Sequence, residues 1–321
     1  MKRALLLGLA ASSATLAQAQ SDPRVWLERM SSAVDTISYV GTFVHITENE
    51  TETMRVIHRV DGDDVSERLV SLGGTGREVL RTNEETKCIL QAERSVLIDK
   101  HAPRTPVPLH AALPKYSANL EHYYEFIDHG EDRVADRAAH VVEVRPRDHY
   151  RFGYRLWLDD QTAIPLQSVR ITSDGKSVER VVFTDISFPA HIDDTELAST
   201  ISDEGFTQHV RDTTTAASSD AEVGWEARDL PDGFRLSATD NEDEQANGEH
   251  LVYSDGLTSV SVFIESLRDT KPMRGYRMVG GSSAFSTMVN GFQVTVVGEV
   301  PEPTARMIGD SMRPLALDGE K

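Results

Sequence analysis

The sequence predicts an α+β protein made of two domains, each containing an antiparallel sheet. Short runs that alternate apolar and polar residues follow one another closely, with turn residues between them, which is typical of antiparallel strands. Two stretches, 22–37 and 302–315, instead carry apolar residues at helical spacing. The chain has 321 residues, and this length favours two domains over one.

The first 19 residues are predicted to be a secretory signal peptide. Lys2 and Arg3 form a basic start, residues 4–17 are mostly apolar, and Ala17–Ala19 fits a small-x-small cleavage site. The apolar stretch is too short for a membrane span. We therefore expect a soluble, exported protein. A net charge of −19 excludes a nucleic-acid partner, because such a chain repels phosphate.

The first element after the signal peptide is predicted to be an amphipathic helix. Asp22 followed by Pro23 is a typical helix start, and apolar residues recur from Trp26 at helical spacing. Six alternating runs follow between residues 39 and 100, separated by polar turns, and predict an antiparallel meander. The apolar face of the helix requires such a sheet as its partner.

Residues 101–130 are predicted to interrupt the strands with an irregular segment and then a short helix. Four prolines within residues 101–116 exclude a central strand and predict an irregular segment. Residues 117–130 are then predicted to form a short helix, with Leu120, Tyr123 and Ile127 on one side.

Strands resume at 139–147 and continue through 154–186, a stretch that predicts three strands with turns at Asp159–Gln161 and Asp174–Gly175. In the first of these strands Leu156 and Leu158 alternate with polar residues and Trp157. We expect the leucine face to be the concave one.

The domain boundary is predicted at residues 207–222. This stretch carries almost no large apolar side chain and has the composition of a flexible linker. The first domain is therefore expected to span 20–206 and the second 223–321. In the second domain an Asp–Gly turn at 255–256 joins two alternating runs into a hairpin, and a terminal helix begins near Pro303.

No catalytic or metal-binding pattern in the sequence is specific. SDGK at 173–176 matches a Ser–Lys nucleophile spacing, but its Asp–Gly pair predicts a turn rather than a helix. His45 and His58 could be neighbours across the first hairpin, yet no third metal ligand is evident. The single cysteine, Cys88, excludes an intramolecular disulfide and is expected to be a buried thiol. We predict no catalytic residue, no metal and no cofactor.

A curved sheet with a helix on its concave side closes only in part and can enclose an apolar cavity for an acyl chain. The alternative is that the same side chains fill an ordinary core. The candidate lining residues are apolar and come from the first helix and from strands expected to face it: Trp26, Met30, Tyr39, Phe43, Val56, Leu69, Leu156 and Leu158.

Four long stretches carry a family resemblance. They are WLERMSSAVDTISYVGTFVH at 26–45, ETMRVIHRVDGDDVSERLVSLGGTGREVLR at 52–81, GYRLWLDDQTAIPLQSVRI at 153–171 and HLVYSDGLTSVSVFIE at 250–265. Together, in this order, they resemble the RseB/MucB family of periplasmic negative regulators of the sigma-E envelope stress response. The resemblance covers roughly residues 22–317.

The resemblance implies an unclosed antiparallel β half-barrel with helices across its mouth, like LolA and LolB, followed by a smaller α+β domain with an antiparallel sheet. It implies binding to the periplasmic region of an RseA/MucA-type anti-sigma factor, which blocks cleavage by a DegS-type protease. It further implies release by lipid, either lipopolysaccharide or the acyl chains of mislocalised lipoprotein. Family members self-associate, so a homodimer is also expected. No enzymatic activity is implied.

The resemblance implies that the partner binds to the second domain and to the groove between the domains, and we place this region at 251–267 and 280–298. Gly280 and Gly281 suggest a mobile loop there that a partner could order. The candidate contact residues are hydrophobic side chains of these two stretches: Tyr253, Val260, Val262, Phe263, Phe285 and Phe292. The alternative function is a LolA-like periplasmic carrier of lipid or lipoprotein. The second domain argues against it, because those carriers have one domain.

Overall fold

The computed structural model describes residues 22–74, 76–100, 113–212, 224–240, 248–267, 271–279 and 281–315. The predicted signal peptide at 1–19 lies outside these residues, as do 101–112 of the proline-rich segment, 213–222 of the predicted linker and Gly280. No described helix is both long enough and apolar enough to cross a membrane.

The first domain is built on a twelve-stranded sheet. Its strand order is β12-β6-β5-β4-β3-β2-β1-β11-β10-β9-β8-β7, so two edges remain and the barrel is unclosed, as predicted. Only β12 lies parallel to its neighbour, β6, among the described strand pairs of this sheet. The strands are β1 Tyr39–Thr47, β2 Thr51–Asp61, β3 Asp64–Ser71, β4 Arg77–Arg81, β5 Glu85–Leu90, β6 Ser95–Lys100, β7 Tyr124–Val134, β8 Arg137–Pro146, β9 Gly153–Asp159, β10 Pro165–Ile171, β11 Ser177–Ser187 and β12 Thr207–Asp212.

Helix α1, Pro23–Thr36, packs on one face of this sheet, which we call the inner face. The Asp22 carboxylate accepts a hydrogen bond from the backbone N–H of Arg24 at 2.9 Å and caps the helix. The helix buries one side, including Trp26, Leu27 and Met30, and it contacts β7 and β8. The predicted first helix is thereby confirmed.

The predicted helix at 117–130 is wrong. Only Ala118–His122 forms a short 3₁₀ helix, and β7 begins two residues later, at Tyr124. Strand β7 pairs with β8 from Tyr124 to Val134. These interstrand hydrogen bonds outweigh a helical spacing of apolar residues, because local propensity is weaker than pairing within a large sheet.

The three strands predicted within 154–186 are present as β9, β10 and β11. At the second turn Gly175 has φ +81°, a conformation that glycine adopts without a steric cost. The predicted linker also begins differently from expectation, because its first six residues form β12 against β6. An edge strand is partly exposed and needs few large apolar side chains. The composition of residues 207–212 therefore did not indicate a strand.

The segment that follows β11 crosses the other face of the sheet, which we call the outer face. It includes the one-turn helix α2, Asp194–Leu197. Beneath it Arg68 pairs with the fully buried Glu78 at 2.6 Å. The Glu78 carboxylate also accepts hydrogen bonds from Ser199 and Thr200 of the crossing segment. These contacts fix the segment to β3 and β4.

The second domain contains a six-stranded antiparallel sheet in the order β14-β15-β16-β19-β18-β17 and a small pair β13-β20. Helix α3, Glu302–Ser311, packs against β18 and β19 through Ala305 and Ile308, which are both fully buried. This is the predicted α+β arrangement. The strands are β13 Trp225–Ala227, β14 Arg235–Asp240, β15 Gly248–Ser254, β16 Ser259–Ser266, β17 Gly275–Val279, β18 Ser282–Val289, β19 Phe292–Gly298 and β20 Met312–Pro314.

Candidate functional site

The eight residues predicted to line a lipid cavity lie together in the core between α1 and the inner face of the sheet. Each has 4 % or less of its surface exposed, and all belong to one hydrophobic cluster. Leu156 and Leu158 face this cluster, whereas Trp157 is partly exposed and donates a hydrogen bond to Asp132. The leucine face is therefore the inner one. Beneath the helix these side chains form a packed core, and their contact with lipid stays a prediction.

The apolar surface of the inner face continues beyond this core, across strands β2 to β6. The strand register places five cross-strand partners side by side: Val56, Leu69, Val79, Cys88 and Leu97. We call this set the apolar row. Val56 and Leu69 are buried, Val79 and Cys88 are partly exposed, and Leu97 is 45 % exposed. From Leu69 to Leu97 the row crosses three strand spacings, about 14 Å.

A cavity of about 560 Å³ lies at the exposed end of this row. Its volume is in the range of small-molecule sites, about 300–1,000 Å³. The lining residues come from β5, β6 and β12: Thr86, Cys88, Leu97, Ile98, Asp99, His209 and Val210. Burial raises the pKa of the Cys88 thiol. The thiol is therefore protonated at neutral pH and is not an activated nucleophile.

The predicted partner-binding residues of the second domain are divided between its core and its surface. Tyr253, Val260, Val262 and Phe285 are at most 3 % exposed and pack in the core of this domain. Phe263 and Phe292 remain partly exposed; Phe263 stacks on His250 with ring centroids 4.4 Å apart. In this conformation only these two of the six offer side-chain surface to a partner.

The two domains meet around a buried arginine that the sequence interpretation missed. Arg151 and Asp255 are both fully buried, and Arg151 Nε donates to Asp255 Oδ2 at 2.8 Å. The Tyr124 hydroxyl donates to the same oxygen at 3.0 Å. Burial, and then the Asp255 carboxylate, raise the pKa of Tyr124 well above its usual value. Arg151 also pairs with Asp148 and donates to the Asp232 carbonyl.

A second arginine crosses the junction at another point. Arg170 is nearly buried, pairs with Glu179 at 2.5 Å and Glu299 at 3.0 Å, and donates to the carbonyl of Gly281. Burial raises the pKa of Glu299, and the nearby Arg170 opposes that effect. Burial would also raise the pKa of Glu179, but the His45 hydrogen bond and the Arg170 charge lower it. Gly281, predicted to belong to a mobile loop, is therefore tied to the first domain.

An open cleft of about 830 Å³ lies at this junction. One wall belongs to β14, an edge strand of the second sheet, on which Leu236 is 42 % exposed. The cleft residues come from both domains: Ser117, Asn119, His122, Tyr123, Asp232, Gly233, Arg235, Leu236, Ser237, Ser254, Asp255 and Gly256. In the sequence, Arg151 stands between two aromatic residues, Tyr150 and Phe152, which is the one local signal that could have indicated this region.

The histidines do not form the arrangement considered from the sequence. His58 pairs with Tyr39 in the strand register, whereas His45 pairs with Glu52 at the other end of the hairpin. His129 lies on β7 and contacts the Glu143 carboxylate at 2.8 Å. Within the described part of the chain, no three His, Cys, Asp or Glu side chains are grouped so that they could hold a metal ion.

Two family models match the chain. The MucB/RseB N-terminal domain matches residues 22–201, and the MucB/RseB C-terminal domain matches residues 219–313. The Pseudomonas aeruginosa protein named sigma factor AlgU regulatory protein MucB is 34 % identical over 323 aligned residues, which cover 97 % of each chain. The Escherichia coli K12 protein named sigma-E factor regulatory protein RseB is 26 % identical, with 89 % of each chain covered.

One solved structure is also similar to almost the whole chain. The crystal structure of MucB in complex with MucA(peri) superposes on 92 % of this chain and 100 % of that chain, with a TM-score of 0.69 and 30 % sequence identity. The curated relatives are named as regulatory proteins, which confirms the prediction that the chain is not an enzyme. Matched along both domains, the chain belongs to the MucB/RseB family.

Proposed function

We propose that this protein is a periplasmic negative regulator of a sigma-E (AlgU-type) envelope stress response. It binds the periplasmic region of a MucA/RseA-type anti-sigma factor. The observation that carries this proposal is the similarity, across both domains, to the MucB chain solved in complex with MucA(peri). The amino-terminal stretch with signal-peptide features supports export to the compartment where such a partner is exposed.

The second domain and the junction are the proposed binding surface. The cleft of about 830 Å³ combines polar groups from both domains with an edge strand whose backbone can pair with an extended segment. Phe263 and Phe292 offer additional apolar surface on the second sheet. Bound there, the protein shields the anti-sigma factor from a DegS-type protease by covering the chain near the cleavage site.

Lipid is the proposed release signal, bound by the first domain. The apolar row and the cavity at its exposed end support this, because an acyl chain gains about 0.8 kcal/mol for each buried CH₂. A twelve-carbon chain could therefore contribute several kcal/mol. A change from 1:99 to 99:1 between two states needs about 5.5 kcal/mol of differential affinity. Lipopolysaccharide and lipoprotein acyl chains both supply such hydrocarbon.

The second candidate function is a LolA-like carrier of lipid or lipoprotein, which the apolar cavity alone would also suit. The regulator is favoured because two ion pairs join the domains: Arg151–Asp255, which is fully buried, and Arg170–Glu299, in which the glutamate is partly exposed. A carrier of one domain needs no such junction. Self-association into a homodimer is part of the proposal, and light scattering of the purified chain tests it.

A protease-protection assay tests the proposed function. The periplasmic fragment of a MucA/RseA-type anti-sigma factor from the same organism is incubated with a DegS-type protease, with and without the mature chain. We expect cleavage to slow at least tenfold at saturating chain, and lipopolysaccharide to restore it. Equal cleavage rates with and without the chain would overturn the regulator. Protection that lipopolysaccharide leaves unchanged would overturn the lipid signal alone.

A further inference from the structure

We propose that strand β12 is the element that reports lipid occupancy to the second domain. This inference rests on the proposed lipid signal and adds the route by which it travels. Strand β12 is the last part of the chain that the structure describes before residue 224, and the strands of the second domain follow from there. It is also a wall of the cavity at the end of the apolar row, through His209 and Val210. Strand β12 thus lines the proposed lipid cavity and also precedes the second domain in the chain.

Residues 188–206, which join β11 to β12, cross the outer face of the sheet, and we call this segment the strap. The strap is anchored to successive strands in order: Arg59 of β2 binds Asp194 at 2.6 Å, and Lys87 of β5 binds Asp203 at 2.6 Å. The Arg94 guanidinium lies over the Phe206 ring at 5.1 Å. These contacts therefore hold the strap on the side of β12 that precedes it in the chain.

Side-chain contacts hold the strap to the sheet as far as Phe206, and beyond it the pairing of β12 with β6 holds the chain. Strand β12 lies at the edge of the sheet and pairs only with β6, over six residues. Val210 is 56 % exposed, so little apolar surface holds the strand in place. Few buried contacts and exposed backbone hydrogen bonds are the features of a segment that opens locally while the domain stays folded.

The residues that line the cavity also indicate whether lipid favours the state in which β12 is paired with β6 or the state in which the two strands have separated. In the strand register His209 is the partner of Leu97, so a polar imidazole stands at the end of the apolar row. An acyl chain lying along the row toward Leu97 meets that imidazole, and desolvation of a polar group by hydrocarbon is unfavourable. The ligand therefore favours the state in which β12 has left β6. A ligand shifts such an equilibrium only through this difference in affinity.

A reversible disulfide tests the proposal directly. Ile98 and Val210 are partners in the parallel register, and adjacent strands bring Cα atoms to a separation that a disulfide can bridge. The variant I98C/V210C, made with C88S to remove the native thiol, locks β12 to β6 when oxidised. The same variant under reductant is the matched control, because its side chains are identical. The probe is a lysophosphatidylcholine with a twelve-carbon chain, used below its micelle-forming concentration.

We expect both forms to bind the probe and the anti-sigma fragment. The oxidised form should need at least ten times more probe to release the fragment than the reduced form. Equal release from both forms, with the probe bound to each, would overturn the role of β12 and leave the lipid signal intact. Failure of the reduced form to bind the probe would overturn the lipid signal and this proposal together.

Hydrogen exchange of the unmodified protein gives a second readout that does not depend on the disulfide. The probe should accelerate amide exchange in β12 and β6 at least tenfold while leaving β1 to β3 unchanged. Slower exchange of β12 in the presence of the probe would overturn the proposed direction. Unchanged exchange there, at saturating probe, would overturn the proposal.

Discussion

At the junction of the two domains, single residues connect groups that are far apart in the sequence. Arg151 contacts Asp255, which is 104 residues away, and the carbonyl of Asp232. A buried charge of this kind is stable only while its partner is present, because the remaining ion would be desolvated without compensation. The junction therefore depends on the pairing of Arg151 with Asp255.

The substitution Arg151→Ala should destabilise the protein by about 3–5 kcal/mol, because it leaves the buried Asp255 carboxylate without its cation. Chemical denaturation with urea measures this change. Arg133→Ala is the matched control, since Arg133 pairs with Asp136 in solvent. The control should cost less than about 1 kcal/mol. An equally small loss for both variants would show that the junction does not depend on Arg151.

Glu78 should give the folded state part of its sensitivity to acid. Burial alone would raise its pKa, but hydrogen bonds from Ser199, Thr200 and Arg68 outweigh burial and lower the pKa to about 2. A lowered folded-state pKa stabilises the protein above the ordinary value of 4.5, and that stabilisation disappears as the pH falls from there toward 2.

We therefore expect the melting temperature of Glu78→Gln to fall less steeply between pH 5 and pH 3 than that of the wild-type protein, although the variant is less stable at pH 7. Glu84→Gln, at an exposed position, is the control and should follow the wild-type profile. Parallel profiles for Glu78→Gln and wild type would contradict the assigned pKa.

At the scale of elements, alternation and turn residues were sufficient to predict most strands. The hairpins around Asp174–Gly175 and Asp255–Gly256 follow from local chemistry, since each turn type demands such residues. Strands β7 and β12 were not predicted. Strand β7 pairs with β8, which follows it directly in the chain, but its apolar residues also fit a helical spacing. Strand β12 pairs with β6, which lies much earlier in the chain. Pairing with a distant strand leaves no periodic signal in a short polar segment.

Helix α3 offers a test at this scale in which packing opposes helix propensity. Gly309 lies against the second sheet, where an added Cβ would approach the Phe285 ring to 2.7 Å. Gly→Ala within a helix normally gains about 1 kcal/mol, but overpacking a core costs about 1–3 kcal/mol. We expect Gly309→Ala to lower the thermal stability of the protein.

The exposed position 310 supplies the control for that substitution. Asp310→Ala changes the same helix without a contact in the core, and it should be neutral or slightly stabilising. Calorimetry of both variants measures the difference. A gain in stability for Gly309→Ala would mean that the helix can move away from Phe285.

At the scale of the whole molecule, the unclosed sheet, the second α+β domain and the family were predictable from the sequence. The eight predicted cavity residues do lie together, but mainly as core beneath α1. The exposed end of the inner surface lies elsewhere, near Cys88 and Leu97. Sequence alternation identifies which face is apolar but not where a helix stops covering it. The junction was missed because its ion pairs join residues of different domains.

The central claim is that the intact chain binds the periplasmic region of a MucA/RseA-type anti-sigma factor. Isothermal titration calorimetry of the mature chain with that fragment measures the binding directly. The account predicts a saturable complex with a dissociation constant of about 1 µM or tighter, which corresponds to about −8 kcal/mol or more favourable. The absence of binding heat and of a co-migrating complex at about 100 µM of both proteins would contradict it.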